Sequence, residues 1–120
     1  MWRSRSSFVF LPAGGSYQEV VWRPAVDIYE TRTGWIAKFD LAGVRLEDID
    51  LEIKERRLRL SGLRRDWLIQ EGCHYHSLEI AYSRFERDIE FPADLTNARI
   101  RTDYEAGMLL VRIDLEGTER

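Results

Sequence analysis

The 120-residue sequence has a single cysteine, Cys73, so no disulfide can form within the chain. A lone thiol fits a reducing compartment, and we expect the protein in the cytoplasm. No apolar run approaches the ~18 residues needed to span a bilayer. The apolar run Phe8–Leu11 is also too short for the core of a signal peptide. These absences predict a protein with no membrane partner.

The sequence also lacks an excess of positive charge. Its formal net charge is −3, and its charged residues, 32% of the chain, mix both signs. Nucleic-acid binding requires a strongly basic face, so this class of function is not expected. The one basic stretch, 54–65, indicates a solvated strand-turn-strand. No lysine follows Gly14 and Gly15, so no phosphate-binding loop is present, and we expect no cofactor.

Cys73, His74 and His76 are the candidates for metal ligation or nucleophilic catalysis. In a strand the two histidines point the same way, as zinc ligands can. Only two histidines and one cysteine occur, however, so Glu71 or Glu79 would have to complete the ligand set. Adjacent strand residues face opposite sides, which separates Cys73 from His74. We predict neither a metal site nor catalytic residues; a small hydrolase or metal protein is the alternative.

Apolar and polar residues alternate with period two along most of the chain after Pro24, which predicts β-strands. Turn signals such as Gly34, Ala42-Gly43 and Ala106-Gly107 separate the alternating runs. No stretch keeps helical spacing over ten residues. Seven or eight short strands at this density of turns predict an all-β sandwich.

Arg87 interrupts the alternation of its strand. Phe85, Ile89 and Phe91 form the apolar face, and Arg87 falls on the same face. A guanidinium in an apolar layer is costly unless it is paired. We therefore expect a carboxylate to hold it, at a joint of the fold or at a subunit contact. The alternative is that its stem packs inside while its head reaches water.

Composition divides the chain into an N-terminal arm (1–22), a strand-rich domain (23–115) and a short C-terminal tail (116–120). The arm has few charges but many aromatic and aliphatic residues, and disordered tails are usually poor in aromatics. It therefore has an apolar surface to contact: its own core, a sister subunit or another protein.

Several segments resemble motifs of the α-crystallin domain of small heat shock proteins, and they occur in that family's order. The segments are Trp22–Glu30, Phe39–Val44, Glu47–Ile49, Leu58–Gly62, Phe85–Pro92 and Gly107–Val111. The resemblance covers about residues 22–113. The chain resembles the bacterial and plant branch of the family in particular, because its segment 63–82 is long.

The resemblance implies an ATP-independent holdase chaperone. Its implied fold is an immunoglobulin-like β-sandwich of seven to eight strands with a strand-bearing loop at about 63–82. Tyr75–Ile80 of one chain would add beside residues 26–28 of the other, since a donated strand satisfies open sheet edges. The implied partners are unfolded or partly folded client proteins and a second copy of the chain. A CS-type co-chaperone adaptor, which shares the sandwich, is the alternative.

The resemblance also implies three sets of site residues. The client-binding set is Phe8, Val9, Phe10, Leu11, Tyr17, Val20, Val21 and Trp22. The dimer-interface set is Val26, Ile28, Trp67, Tyr75, His76, Leu78, Ile80 and Arg87. The docking-groove set is Leu51, Ile53, Ile100 and Thr102. As alternatives, the arm packs on its own sandwich and the groove residues face the core.

The sequence departs from the family pattern at several positions. Ala42 replaces a turn proline, which predicts a looser turn, and Thr102 replaces the usual alanine. The family's C-terminal extension carries an Ile-x-Ile or Ile-x-Val motif, whereas Val111-Arg112-Ile113 lies inside the last predicted strand and the chain stops at Arg120. We therefore expect a homodimer or a small oligomer rather than a large cage.

Overall fold

A computed structural model describes residues 21–67 and 72–115. The predicted client-binding positions from Phe8 to Val20 and the tail 116–120 lie outside the described residues. Within them, no helix is long and apolar enough to cross a membrane.

Eight strands form two four-stranded sheets, which confirms the predicted all-β sandwich. The strands are β1 (Val21–Trp22), β2 (Val26–Glu30), β3 (Gly34–Asp40), β4 (Ile49–Lys54), β5 (Arg57–Leu63), β6 (Arg84–Glu90), β7 (Arg99–Glu105) and β8 (Met108–Asp114). One sheet has the order β1-β6-β5-β4 and the other β2-β3-β8-β7. A short 3-10 turn, Leu46–Asp48, leads into β4.

The core lies between the two sheets and follows the period-two pattern. Phe39 and Val111 from one sheet and Leu60 and Phe85 from the other are essentially removed from solvent. Adjacent side chains on each strand point to opposite faces, so the intervening charged residues remain on the outside. Each fully buried aliphatic or aromatic side chain contributes about 1.5–3 kcal/mol.

The turn at Ala42 is tied to the β7–β8 hairpin. The Leu41 N–H donates to the Gly107 carbonyl at 2.7 Å. Gly107 has φ +78, and a Cβ at this position would lie 2.9 Å from the Ala42 Cα, so only glycine allows this approach. The two turns therefore pack directly against each other.

Tyr104 on β7 holds the same turn from the other side. Its hydroxyl lies 2.9 Å from the Leu41 carbonyl oxygen and also within hydrogen-bond distance of the Val44 carbonyl. Burial raises the pKa of Tyr104, because the half-buried phenolate would be poorly solvated. These contacts fix a turn that the missing proline was expected to loosen.

We predict that Tyr104→Phe lowers the stability of the sandwich by about 1 kcal/mol, because a half-buried hydrogen bond is lost while the ring is kept. Thermal unfolding should show a fall in Tm of about 4–8 °C. Thr33→Val is the control, since it removes the hydroxyl of an exposed residue in the turn before β3. Equal melting temperatures for the two variants would contradict the role of Tyr104.

The pH dependence of the same variant gives a second prediction. The folded chain holds the Tyr104 proton more tightly than the unfolded chain does. The stabilisation is therefore complete below the ordinary tyrosine pKa of about 10 and is lost as the pH rises through the folded-state pKa. The difference in Tm between the wild type and Tyr104→Phe should shrink above pH ~10. A difference that stays constant from about pH 8 to 11 would refute it.

Candidate dimerisation and client surfaces

β2 is an edge strand whose outer side is open in the described structure. It pairs with β3 alone, through the register Val26↔Phe39 to Glu30↔Trp35. Val26 packs against the core, whereas Ile28 is 40% exposed. An edge strand presents unpaired N–H and C=O groups that can accept another strand.

The connection between β5 and β6 presents apolar side chains to solvent. Tyr75 is 73% exposed, Leu78 59% and Ile80 58%, and His76 is exposed as well. No strand is assigned between residues 72 and 82. A strand that pairs only with a second chain has no partner in a single chain, so the extra strand of this loop stays a prediction.

The start of this loop is fastened to the body of the sandwich. Arg65 donates from Nε and Nη2 to the carboxylate of Asp48, at 3.1 and 3.4 Å. The Asp48 side chain is only 5% exposed, so the pair also satisfies a buried charge. Trp67, predicted for the dimer interface, lies under the guanidinium of Arg45 with 3.3 Å to its ring centroid. It is 45% exposed, which leaves one side of the ring for a partner.

The end of the loop is held by Arg64. Its Nε donates to the Ala81 carbonyl at 2.9 Å, and its Nη1 donates to the Ala42 carbonyl at 3.2 Å. The guanidinium also stacks 3.6 Å from the ring centroid of Trp22. Burial lowers the pKa of Arg64, which reflects the loss of water around the cation.

Arg87 lies on the inner face of β6, opposite Leu60 of β5. Its Nη1 donates to the Pro24 carbonyl at 2.7 Å, while its buried Nε has no partner. Burial lowers the pKa of Arg87, and the nearby Arg23 lowers it further. Among the described residues of this chain no carboxylate holds Arg87. Within its own chain Arg87 is therefore held by a backbone carbonyl at the joint between β1 and β2, and a carboxylate at a subunit contact stays a prediction.

The predicted docking groove lies on the opposite side of the sandwich. β4 and β7 are edge strands there, and Leu51 and Ile53 on β4 and Ile100 on β7 are half-buried against the core. Thr102 is exposed. The three apolar side chains thus contact the core while keeping part of their surface at the open side.

Comparison with protein families matches residues 27–120 to the Hsp20/alpha crystallin family. The match covers every strand from β3 to β8 and most of β2. The chain belongs to the Hsp20/alpha crystallin family.

Named relatives of this family align with the same region. Small heat shock protein C2 of Rickettsia felis is 31% identical over 90 residues, which cover 75% of this chain and 58% of the relative. The 22.7 kDa class IV heat shock protein of Pisum sativum is 32% identical over 89 residues, covering 73% and 45%. The chain spans about half the length of the curated relatives it matches.

Solved structures of small heat shock proteins share the fold. Heat shock protein 16.0 of Schizosaccharomyces pombe superimposes with a TM-score of 0.73 at 22% identity, covering 82% of this chain and 92% of that one. The hspA structure of Xanthomonas axonopodis gives 0.65 at 26% identity, covering 79% and 95%. The sandwich is therefore the α-crystallin domain fold of this family.

Two residues of the predicted N-terminal arm lie in a strand of the described sandwich. Val21 and Trp22 form β1, which pairs in parallel with the start of β6. Trp22 is half-buried and meets Phe85 edge-on, with 5.6 Å between ring centroids. Val21 is 47% exposed. Trp22 therefore follows the alternative in which the arm packs on its own sandwich, while Val21 keeps a free surface.

Cys73, His74 and His76 are all exposed in this family member. The described residues contain no group of three or more side chains that could hold a metal ion.

Sequence reasoning missed the residues that fasten the loop. Arg64 and Arg45 lie on no regular apolar face, and their partners are distant in sequence. The arginine pair that directly follows β5 was the available signal, but it was interpreted as solvated charge.

Proposed function

We propose that this protein is an ATP-independent holdase that binds unfolded or partly folded proteins as a homodimer and prevents their aggregation. The observation that carries the proposal is the exposed apolar loop beside an open edge strand in a small heat shock protein domain. Monomeric proteins rarely keep several large apolar side chains this exposed in one segment without a binding role. We also propose a cytoplasmic location, which suits the single free cysteine.

Client binding would depend on apolar burial without a fixed shape. Removing apolar surface from water contributes about 25 cal/mol per Å² and is not directional. Side chains that meet exposed core segments of a client can therefore hold many different sequences. We propose that the arm supplies this surface, with Val21 at its root, and that no covalent step is involved.

We predict that the full chain suppresses heat-induced light scattering of a model client without nucleotide. Removing residues 1–20, which leaves β1 in place, should abolish most of the suppression. Phe8→Ser with Phe10→Ser should weaken it severalfold, because apolar contacts to the client are lost. Arg3→Ser with Arg5→Ser is the matched control, since it changes arm charge but not apolar surface.

Two outcomes would count against this proposal. Full suppression by the chain without residues 1–20 would remove the arm as the client site. No suppression by the full chain at any ratio would remove the holdase function itself.

The proposed dimer brings the loop of one subunit to β2 of the other. This contact would cover Ile28 and the loop residues Tyr75, Leu78 and Ile80 with apolar surface. It would also bring the loop near Arg87, whose carbonyl partner Pro24 lies two residues before β2. Glu79 is the only acidic residue between positions 72 and 82. We propose that Glu79 of the partner subunit supplies the carboxylate that Arg87 lacks within its own chain.

We predict that Glu79→Gln and Arg87→Met each weaken the dimer by about 2 kcal/mol, because each leaves the other charge unpaired. Arg87→Met keeps the side-chain volume but leaves the Pro24 carbonyl without its donor, so the Tm of the sandwich should also fall by a few degrees. The double variant should be no weaker than the worse single variant. Sedimentation equilibrium measures the dimer dissociation constants of the two single variants and the double variant.

Glu105→Gln is the matched control, because Glu105 is an exposed carboxylate at the tip of the β7–β8 hairpin. Dimer constants for Glu79→Gln and Arg87→Met that equal that of the control would refute the pair. Strictly additive losses in the double variant would do the same.

A further inference from the structure

Arg64 connects three separate parts of the chain. It is the first residue after β5, and its backbone N–H donates to the Ser83 carbonyl at 3.0 Å. Its side chain then reaches the loop end at Ala81, the turn at Ala42 and the ring of Trp22. The contact therefore joins the proposed dimerisation loop, the sandwich and the strand that follows the arm.

The three contacts require the shape of a guanidinium. Two N–H groups in one plane donate to carbonyls of different segments, and the face of the same plane stacks on an indole. A lysine has the charge but neither the fork nor the flat face. No carboxylate among the described residues lies within ion-pair distance of Arg64, so carbonyl oxygens and the ring take the place of water around the cation.

The ring of Trp22 shields the Arg64 guanidinium from water. Its ring lies between the Arg64 guanidinium and Phe85, which is 1% exposed. In the described residues β1 is held by these ring contacts, by its pairing with β6 and by the packing of Trp22 against the core. If Trp22 leaves, water reaches Arg64 and competes with Ala81 for the Nε hydrogen bond.

We propose that Arg64 is a positioning residue that fixes the end of the dimerisation loop and couples it to Trp22 at the root of the arm. This proposal rests on the proposed dimer, and it makes Arg64 a residue that regulates dimer formation. A loop held in place loses less conformational freedom when a partner accepts it, so docking of Trp22 strengthens the dimer. By linkage, a dimer that holds the loop favours docking of Trp22 by the same factor.

Arg64→Lys and Trp22→Leu test the coupling in the full chain. Each should raise the dimer dissociation constant about tenfold, and the double variant should be no weaker than the worse single one, because both remove the same contact. Arg101→Lys is the matched control: Arg101 is an exposed arginine on β7, in the other sheet from β5 and β6.

Amide hydrogen exchange separates positioning from general loss of stability. In Trp22→Leu, exchange should quicken for the amide of Arg64, which donates to the Ser83 carbonyl at the end of the loop, and stay slow in β3 and β8. Equal quickening in all strands would overturn the proposal, as would an Arg64→Lys dimer constant equal to that of Arg101→Lys.

The dimer and the coupling can fail separately. A wild type that is monomeric at every concentration refutes the dimer and with it the regulatory role of Arg64. A dimeric wild type with additive losses in the double variant refutes only the coupling.

Discussion

Unpaired backbone groups at the edges of the two sheets are the constraint from which the proposed interactions of this molecule follow. The core of the described sandwich is removed from solvent, since Phe39, Leu60 and Val111 show no exposed surface. What remains for interaction is the outside of the edge strands. β2 is the most exposed of these, because four of its five residues are exposed, and it has an apolar side chain, Ile28, in the middle.

Three arginines differ in the groups that accept hydrogen bonds from their guanidinium. Arg65 has a carboxylate, that of Asp48, whereas Arg64 has two carbonyls and a ring. Arg87 has one carbonyl and a buried N–H left over. A satisfied cation stabilises its own subunit, and an unsatisfied one gains most from what another subunit brings. The series therefore separates Arg64 and Arg65, whose contacts lie within their own subunit, from Arg87, which we assign to a direct contact between subunits.

The alternation of residues predicted the sandwich because burial on one face of a strand repeats every second position. Phe85 and Leu60 could be placed in the core on this ground alone. β1 could not, because two residues carry no period, and neither could the contact of Trp22 with Arg64, which joins positions 42 apart in sequence. The carboxylate expected for Arg87 was a sound inference from the cost of a buried charge. Within one chain the Pro24 carbonyl accepts the hydrogen bond from Arg87, so the expected carboxylate stays a prediction for the subunit contact. The loop strand depends on a second chain, and no pattern within one chain fixes its register.

The free energy of the contacts around Arg64 determines how strongly they can favour the docked position of β1. Each net hydrogen bond contributes about 0.5–1.5 kcal/mol, and the stacked cation adds about 0.5–2 kcal/mol. The two side-chain hydrogen bonds and the stacked cation sum to about 1.5–5 kcal/mol, which falls short of the ~5.5 kcal/mol that would switch a population from 1:99 to 99:1. The contact of Arg64 with Trp22 can therefore bias the balance between docked and free β1 but cannot lock it. In the proposed function a client that takes up the arm would compete with a contact of this size for Trp22. Client binding and the proposed dimer would then be coupled equilibria rather than independent ones.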